Sequence, residues 1–217
     1  MIDVKQVELE LDIPSDQVRF VALQPFIQLH SLTEEPFRWA DGIVNTQLAA
    51  IRRTLDLAQD DNGERHTNFT LFPEYSVPGT DGATIIDQRI NAAGWPNNSV
   101  IIAGVHGIKK AEYETLCNNL DVNVSPSNAP AAVPDENWLN CCIVWVRDRN
   151  GDVQKWVQPK VRPAWGELNV TCNDMFCGST VYLFEAHYSP TQYPCRFFTL
   201  VCFDWVGSIT SLLMKKY

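Results

Sequence analysis

Three short apolar runs each end on a residue able to do acid–base or nucleophilic chemistry. TLFPEYSVPG (Thr70–Gly79) closes its apolar part on Pro73 and Glu74, WVQPKVRPAWGE (Trp156–Glu167) carries Lys160, and FFTLVCFDW (Phe197–Trp205) carries Cys202. Each of the three is expected at the end of a strand or just past it, facing the crevice where open α/β sheets place their ligands. Singly they are unremarkable: a lone Cys is usually a small buried hydrophobe, and a Glu or Lys after a strand is usually a solvated flank. Together they make a chemically complete set. A thiol with a free pKa of about 8.5 needs help to attack at neutral pH. A carboxylate can accept its proton, and an ammonium can stabilise the thiolate and then an anionic tetrahedral intermediate. The ammonium also keeps the carboxylate charged.

The elements that must position these groups follow from hydrophobic pattern. Val18–Phe26 reads as a buried strand ended by Pro25. A helix follows, with Asp41 as its N-cap and Ile43, Leu48, Ile51, Leu55 and Leu57 at helical spacing. HTNFTLFPE is a second strand. DGATIIDQRINAAG is a short helix closed by Gly94 at its C′ position, and SVIIAGVHG is a strand buried on both faces. Residues 118–137 read as a polar, Pro-rich loop. WLNCCIVWVR and VQKWVQPK then form a hairpin around Asn150-Gly151, with Cys141 and Cys142 facing opposite sides of their strand. STVYLFEAH and CRFFTLVCFD give two more strands, and WVGSITSLLMKKY begins an amphipathic helix. The pattern is that of a layered α/β sandwich with mixed strand directions.

From Val18 to its end the sequence resembles the carbon–nitrogen hydrolase (nitrilase) superfamily. The resemblance rests on LFPEYSVPG for a glutamate, QPKVRPAWGE for a lysine and TLVCFDW for a cysteine, in that order. It implies a single domain over 1–217 with the four-layer α-β-β-α sandwich of that family. The last elements of its second half would lie beyond residue 217. It implies Cys202 as nucleophile, Glu74 as general base and Lys160 as stabiliser of the tetrahedral intermediate. Glu167 matches a second glutamate that positions substrate or lysine. The Phe203 amide would complete the oxyanion hole, and Trp165 and Trp205 would wall the pocket. The implied reaction is attack on an amide or nitrile carbon, loss of ammonia or an amine, and hydrolysis of a thioester, without metal or organic cofactor. The segment after Cys-Phe-Asp, WVGSIT, departs from the Arg and Pro-Glu common in the family. That departure motivates a second expectation: a nitrilase-like module of a larger protein, with an assembly or regulatory role and weak or no turnover.

Other chemistry is less well supported. Cys172, Cys177, Cys195 and His187 include only one close pair, at the edge of zinc-ligand spacing. His106 and His187 lack the local signatures of Cys–His proteases, and neither common Gly-rich phosphate loop is present. His30 and His66 sit in polar surroundings. A net charge of −9, from 17 basic and 26 acidic residues, argues against a nucleic-acid or anionic-membrane surface. Seven irregularly spaced Cys argue for a reducing, cytoplasmic compartment, in which the sequons at Asn68, Asn97 and Asn169 carry no sugar. The N-terminus lacks the pattern of a signal peptide, and no apolar run reaches the ~20 residues of a membrane span. The expected partners are a small amide or nitrile and either a second copy of the chain or a domain fused at its C-terminal end.

Overall fold

The computed structural model describes residues 2–13, 18–25, 29, 36–59, 67–164, 167, 174–186 and 195–201. In chain order the strands are β1 (Asp3–Leu9), β2 (Phe20–Ala22), β3 (Phe69–Val77), β4 (Ser99–Lys109), β5 (Trp138–Arg147), β6 (Val153–Pro159), β7 (Thr180–Ala186) and β8 (Cys195–Phe198). The helices are α1 (Asp41–Gln59), α2 (Gly79–Ile90) and α3 (Lys110–Leu120). Strands β2 to β6 form one sheet in sequence order, and β1, β7 and β8 form a second in the order β1-β7-β8. Among the described residues the chain is thus mixed α/β, with two sheets and three helices. No helix among the described residues is long and apolar enough to cross a membrane.

Strands β2, β3 and β4 run parallel, with α1 and α2 as the crossovers; β5 and β6 return antiparallel. Period-two alternation sorts their side chains onto two cores. On β5, Leu139, Cys141, Ile143 and Trp145 pack with Ile51, Leu55, Ile86, Ile90, Leu116 and Leu120 of the helices. Cys142, Val144 and Val146 pack with Leu9, Tyr182, Phe184 and Ala186 of the second sheet. The layering is therefore helices, five-stranded sheet, three-stranded sheet. Phe69 of β3 meets Phe197 of β8 edge to face at 5.2 Å across the inter-sheet layer. The expected opposition of Cys141 and Cys142 holds, one thiol in each core.

Several local expectations change. Leu57 is 48% exposed, because the buried face of α1 runs through Gln47, Leu48, Ile51, Thr54, Leu55 and Ala58. Helix α2 ends at Asn91, which stays right-handed, so Gly94 is not its C′ residue; Gly94 lies in the following turn, where its carbonyl accepts from Gln59 Nε2 at 2.8 Å. The loop expected over 118–137 begins inside α3. That helix is closed at its N-terminus by Glu112, which accepts the Lys109 N–H at 2.9 Å, and at its C-terminus by Asp121 at φ 52°. Pro130–Ala132 adds a single 3-10 turn. Strand β8 stops at Phe198 rather than running on to residue 204.

The β5–β6 hairpin turns on a three-residue loop, Arg149–Gly151. Asp148 N–H donates to Asp152 O at 3.0 Å, Gly151 N–H donates to Asp148 O at 3.2 Å, and Gly151 sits at φ 92°. The Asp148 carboxylate accepts the N–H groups of Asn150 and Asp152 at 2.8 and 2.9 Å. This loop places Cys141 opposite Pro159. The next pair beyond it, Asn140 and Lys160, is closed by the Lys160 N–H to Asn140 O bond of 3.0 Å. Directly opposed residues share a face, so the two side chains emerge together.

Glu74 is not at a strand end, as its sequence setting suggests, but in a bulge within β3. Register with β4 runs from Phe69 to Phe72 and resumes at Val77. Pro73 has no N–H for the ladder, and Tyr75 adopts φ 60°. Opposite the bulge is Gly104, where an added Cβ would fall 2.6 Å from both Glu74 Cα and Pro73 O. Those neighbours are backbone and cannot swing aside. Gly104→Ala is expected to lower stability by about 1–3 kcal/mol and to displace Glu74; urea denaturation of the variant checks this, and an unchanged midpoint would remove the bulge from the account.

Candidate active site

Lys160 follows β6 and is fully buried, with no exposed surface on its side chain. Its backbone is pinned on both sides, the N–H by Asn140 O at 3.0 Å and the carbonyl by Gly178 N–H at 2.8 Å. Nζ lies 2.6 Å from Glu74 Oε1 and 3.0 and 2.8 Å from Glu167 Oε1 and Oε2. Three N–H groups thus face three carboxylate oxygens. Burial by itself lowers the lysine pKa, but the Glu74 and Glu167 carboxylates outweigh it and raise the value above the ordinary 10.5. Because the folded value is the higher one, this stabilisation is complete below pH 10.5 and is lost as pH rises from there through the folded value. The ammonium is charged throughout the neutral range.

The two carboxylates differ in what else they accept. Glu167, 4% exposed, takes the Tyr75 hydroxyl on Oε1 at 2.5 Å and the Ala164 N–H on Oε2. Surrounded by donors, it is suited to be a fixed counter-ion. Glu74, 15% exposed, takes both Lys160 Nζ and Asn140 Nδ2 (2.9 Å) on Oε1. Its Oε2 takes no hydrogen bond among the described residues and is the oxygen left to accept a proton.

Neighbouring groups hold this arrangement. The bulge is tied by Trp39 Nε1 to Tyr75 O (2.6 Å), by Gln47 Nε2 to Ser76 O (2.6 Å) and by Ser76 Oγ to Pro73 O (2.5 Å). These bonds offset the roughly 1–3 kcal/mol that a non-glycine residue at positive φ costs. Burial, then Glu167 and Glu74, raise the Tyr75 pKa well above the phenol range, so Tyr75 remains a donor. His106 Nδ1 accepts the Trp39 N–H at 3.1 Å, leaving the imidazole proton on Nε2. Burial, with help from Arg38, lowers the His106 pKa to about 3, so the ring stays neutral.

A cavity of about 300 Å³ opens beside Glu74. Its walls include Leu71, Ile102, Cys142, Phe198, Leu200 and Val201. Gln158, buried on β6, fixes this wall. Its Nε2 donates to Thr199 O at 3.0 Å, while its Oε1 accepts the Tyr182 N–H at 3.2 Å and the Thr199 hydroxyl at 3.4 Å. The chain leading into Cys202 is thereby anchored two residues from Lys160.

Of the residues expected in the site, Glu74, Lys160 and Glu167 are brought together in one buried cluster. Cys202, Phe203, Trp165 and Trp205 lie outside the described residues, as do Cys172, His187, His30, His66 and the C-terminal amphipathic segment. Among the described residues no group of three or more His, Cys, Asp or Glu is arranged to hold a metal ion. Asn140, Tyr75 and Gln158 were not anticipated. Their signals were polar side chains inside apolar strands, Asn140 in WLNCCIV and Gln158 in WVQP, and a tyrosine directly after the glutamate. Comparisons of the chain with protein-family models, with curated proteins and with solved structures find no match.

Two measurements probe the cluster. Lys160→Met leaves two carboxylates buried without their cation, and is expected to cost about 3–5 kcal/mol at pH 7. Urea unfolding of the variant beside the wild type reads it out, and an unchanged midpoint would remove the cluster's contribution to stability. The depressed His106 value means that the unfolded chain binds a proton there between pH 6.5 and about 3. Stability from this group is complete above pH 6.5 and falls with acidification, by at most about 1.4 kcal/mol per pH unit. His106→Asn keeps an acceptor for Trp39 without the titration and should flatten the dependence of stability on pH over that range.

Proposed function

We propose that the chain is a cysteine-dependent carbon–nitrogen hydrolase of the nitrilase type, acting on a small amide or nitrile. One observation carries the reading: a single carboxylate, Glu74, is held on one oxygen by a buried ammonium and borders a cavity whose wall includes Val201, the residue before Cys202.

In the proposed reaction the Cys202 thiol gives its proton to Glu74 Oε2 as the sulfur attacks the amide or nitrile carbon. With an amide, a tetrahedral oxyanion forms, and the Lys160 charge and the Phe203 N–H stabilise it. Protonating Glu74 weakens its bond to Lys160 Nζ, which frees an N–H for the oxyanion while Glu167 retains the ammonium. Glu74 then returns the proton to the leaving nitrogen, and ammonia or an amine departs, leaving a thioester. With a nitrile, the first adduct is a thioimidate, and water must add before ammonia can leave. In both cases Glu74 deprotonates the water that cleaves the thioester, and the thiol is restored. The proposal extends the three described layers to a four-layer sandwich and sets the protein in a reducing cytoplasm. The free thiols of Cys117, Cys141 and Cys195 suit that setting.

Iodoacetamide labelling followed by peptide mapping tests this reading. Cys202 should react fastest of the seven thiols, because burial pushes Cys117 up to about 12 and Cys141 well above its ordinary value, and raises Cys195. Glu74→Gln should slow Cys202 labelling by about 10²-fold. Ammonia release from a panel of amides and nitriles should disappear in Cys202→Ala. Uniform labelling, or turnover that survives Cys202→Ala, would rule the hydrolase out.

A further inference from the structure

We infer that Asn140 is a positioning residue: its side-chain amide decides which oxygen of Glu74 is offered as the base. This rests on the hydrolase reading above.

Asn140 Nδ2 donates to Glu74 Oε1 at 2.9 Å, the same oxygen that Lys160 Nζ approaches at 2.6 Å. Two donors on Oε1 fix the carboxylate plane and leave Oε2 as the basic oxygen. The same amide nitrogen lies 3.4 Å from Glu167 Oε1. With an acceptor on both sides of the nitrogen, the amide has only one tolerable orientation, since a flip would set Oδ1 against two carboxylate oxygens. Asn140 Oδ1 is buried and has no hydrogen-bond partner among the described residues. Buried acceptors are nearly always satisfied, and an exception calls for an explanation. Here the unsatisfied carbonyl is the cost of keeping the NH₂ on the carboxylates. The hairpin register, closed here by the Lys160 N–H to Asn140 O bond, sets Asn140 on the same face as Lys160.

Among the described residues, few charged and titratable groups face Glu74. Lys160 stands at the end of β6 and Glu167 follows it in the chain. Tyr75 reaches them from β3, and the Cys142 thiol of β5 lines the cavity. His106 on β4 is linked to the cluster through Trp39 and Tyr75. Formally the two carboxylates and one ammonium leave a net negative charge. Asn140 supplies a neutral donor that eases that imbalance without competing for the proton.

The test is the pH dependence of Cys202 labelling by iodoacetamide, with stability measured in parallel on the full chain. Asn140→Leu should move the acid-side midpoint up by about one pH unit, which is about tenfold slower labelling on the acid side. Asn140→Asp adds a third carboxylate of the same shape and should move it further up. A purely structural role would lower stability and leave the midpoint where it is. Midpoints matching the wild type in the folded variants would overturn the inference. If the leucine variant does not fold, the isosteric aspartate variant decides. Glu74→Gln separates the two levels: an acid limb unchanged by Glu74→Gln removes the hydrolase reading itself. A limb lost in Glu74→Gln but unmoved by both Asn140 substitutions removes only the role of Asn140.

Discussion

One ammonium, out of reach of water and shared between two carboxylates, constrains everything around it. A lysine with no exposed side-chain surface keeps its charge only if opposite charges stand against it, since the desolvation penalty is several kcal/mol. Glu74 and Glu167 supply those charges at 2.6 and 2.8 Å. The contact in turn demands that a bulge in β3, the end of β6 and the segment after it come to one point. Removing any one of them leaves a buried charge unmatched, which the fold tolerates poorly. The surrounding bonds from Trp39, Gln47, Ser76 and Asn140 exist at the points where that convergence would otherwise come undone.

The same constraint divides the labour between two chemically identical side chains. Glu167 is enclosed by donors from Lys160, Tyr75 and Ala164. Glu74 is held by one oxygen, borders a cavity, and has an oxygen to spare. The pattern of donors thus distinguishes the two carboxylates without any difference in residue type, and the proposed reaction uses that distinction by taking Glu74 as its base.

Much of the scaffold could be read from the residues. Continuous apolar runs became β4 and β5, and the alternation of strands and helices became a parallel βαβαβ unit flanked by a hairpin. The reading failed where local signals were weak or competed. Helix α3 is mostly polar, KAEYETLCNNL, and shows the core only Tyr113, Leu116, Cys117 and Leu120. Glu74 looked like a strand terminus because Pro73 breaks the pairing; the strand resumes at Val77 only because tertiary bonds hold Tyr75 at positive φ. Asn140 was hidden by register. A two-residue turn on Asn150-Gly151 would set Arg149 against Asp152 and hence Lys160 against Cys141, whereas the three-residue loop sets Lys160 against Asn140. A slip of one residue exchanges the faces of a strand, so the partner of the lysine could not be named from the turn signal. The charged pair itself was legible, because a glutamate and a lysine at the ends of apolar runs have few places to go except towards each other.

A crystal structure of the iodoacetamide adduct at Cys202 tests the central claim most directly, by measuring how far that sulfur lies from Glu74 Oε2. Convergence of the three groups predicts a separation of about 3–4 Å, or one bridging water, with Lys160 still held between its carboxylates. A sulfur more than about 8 Å away, or one facing the helix layer, would contradict it and leave the Glu74–Lys160–Glu167 cluster as a structural feature of the sandwich alone.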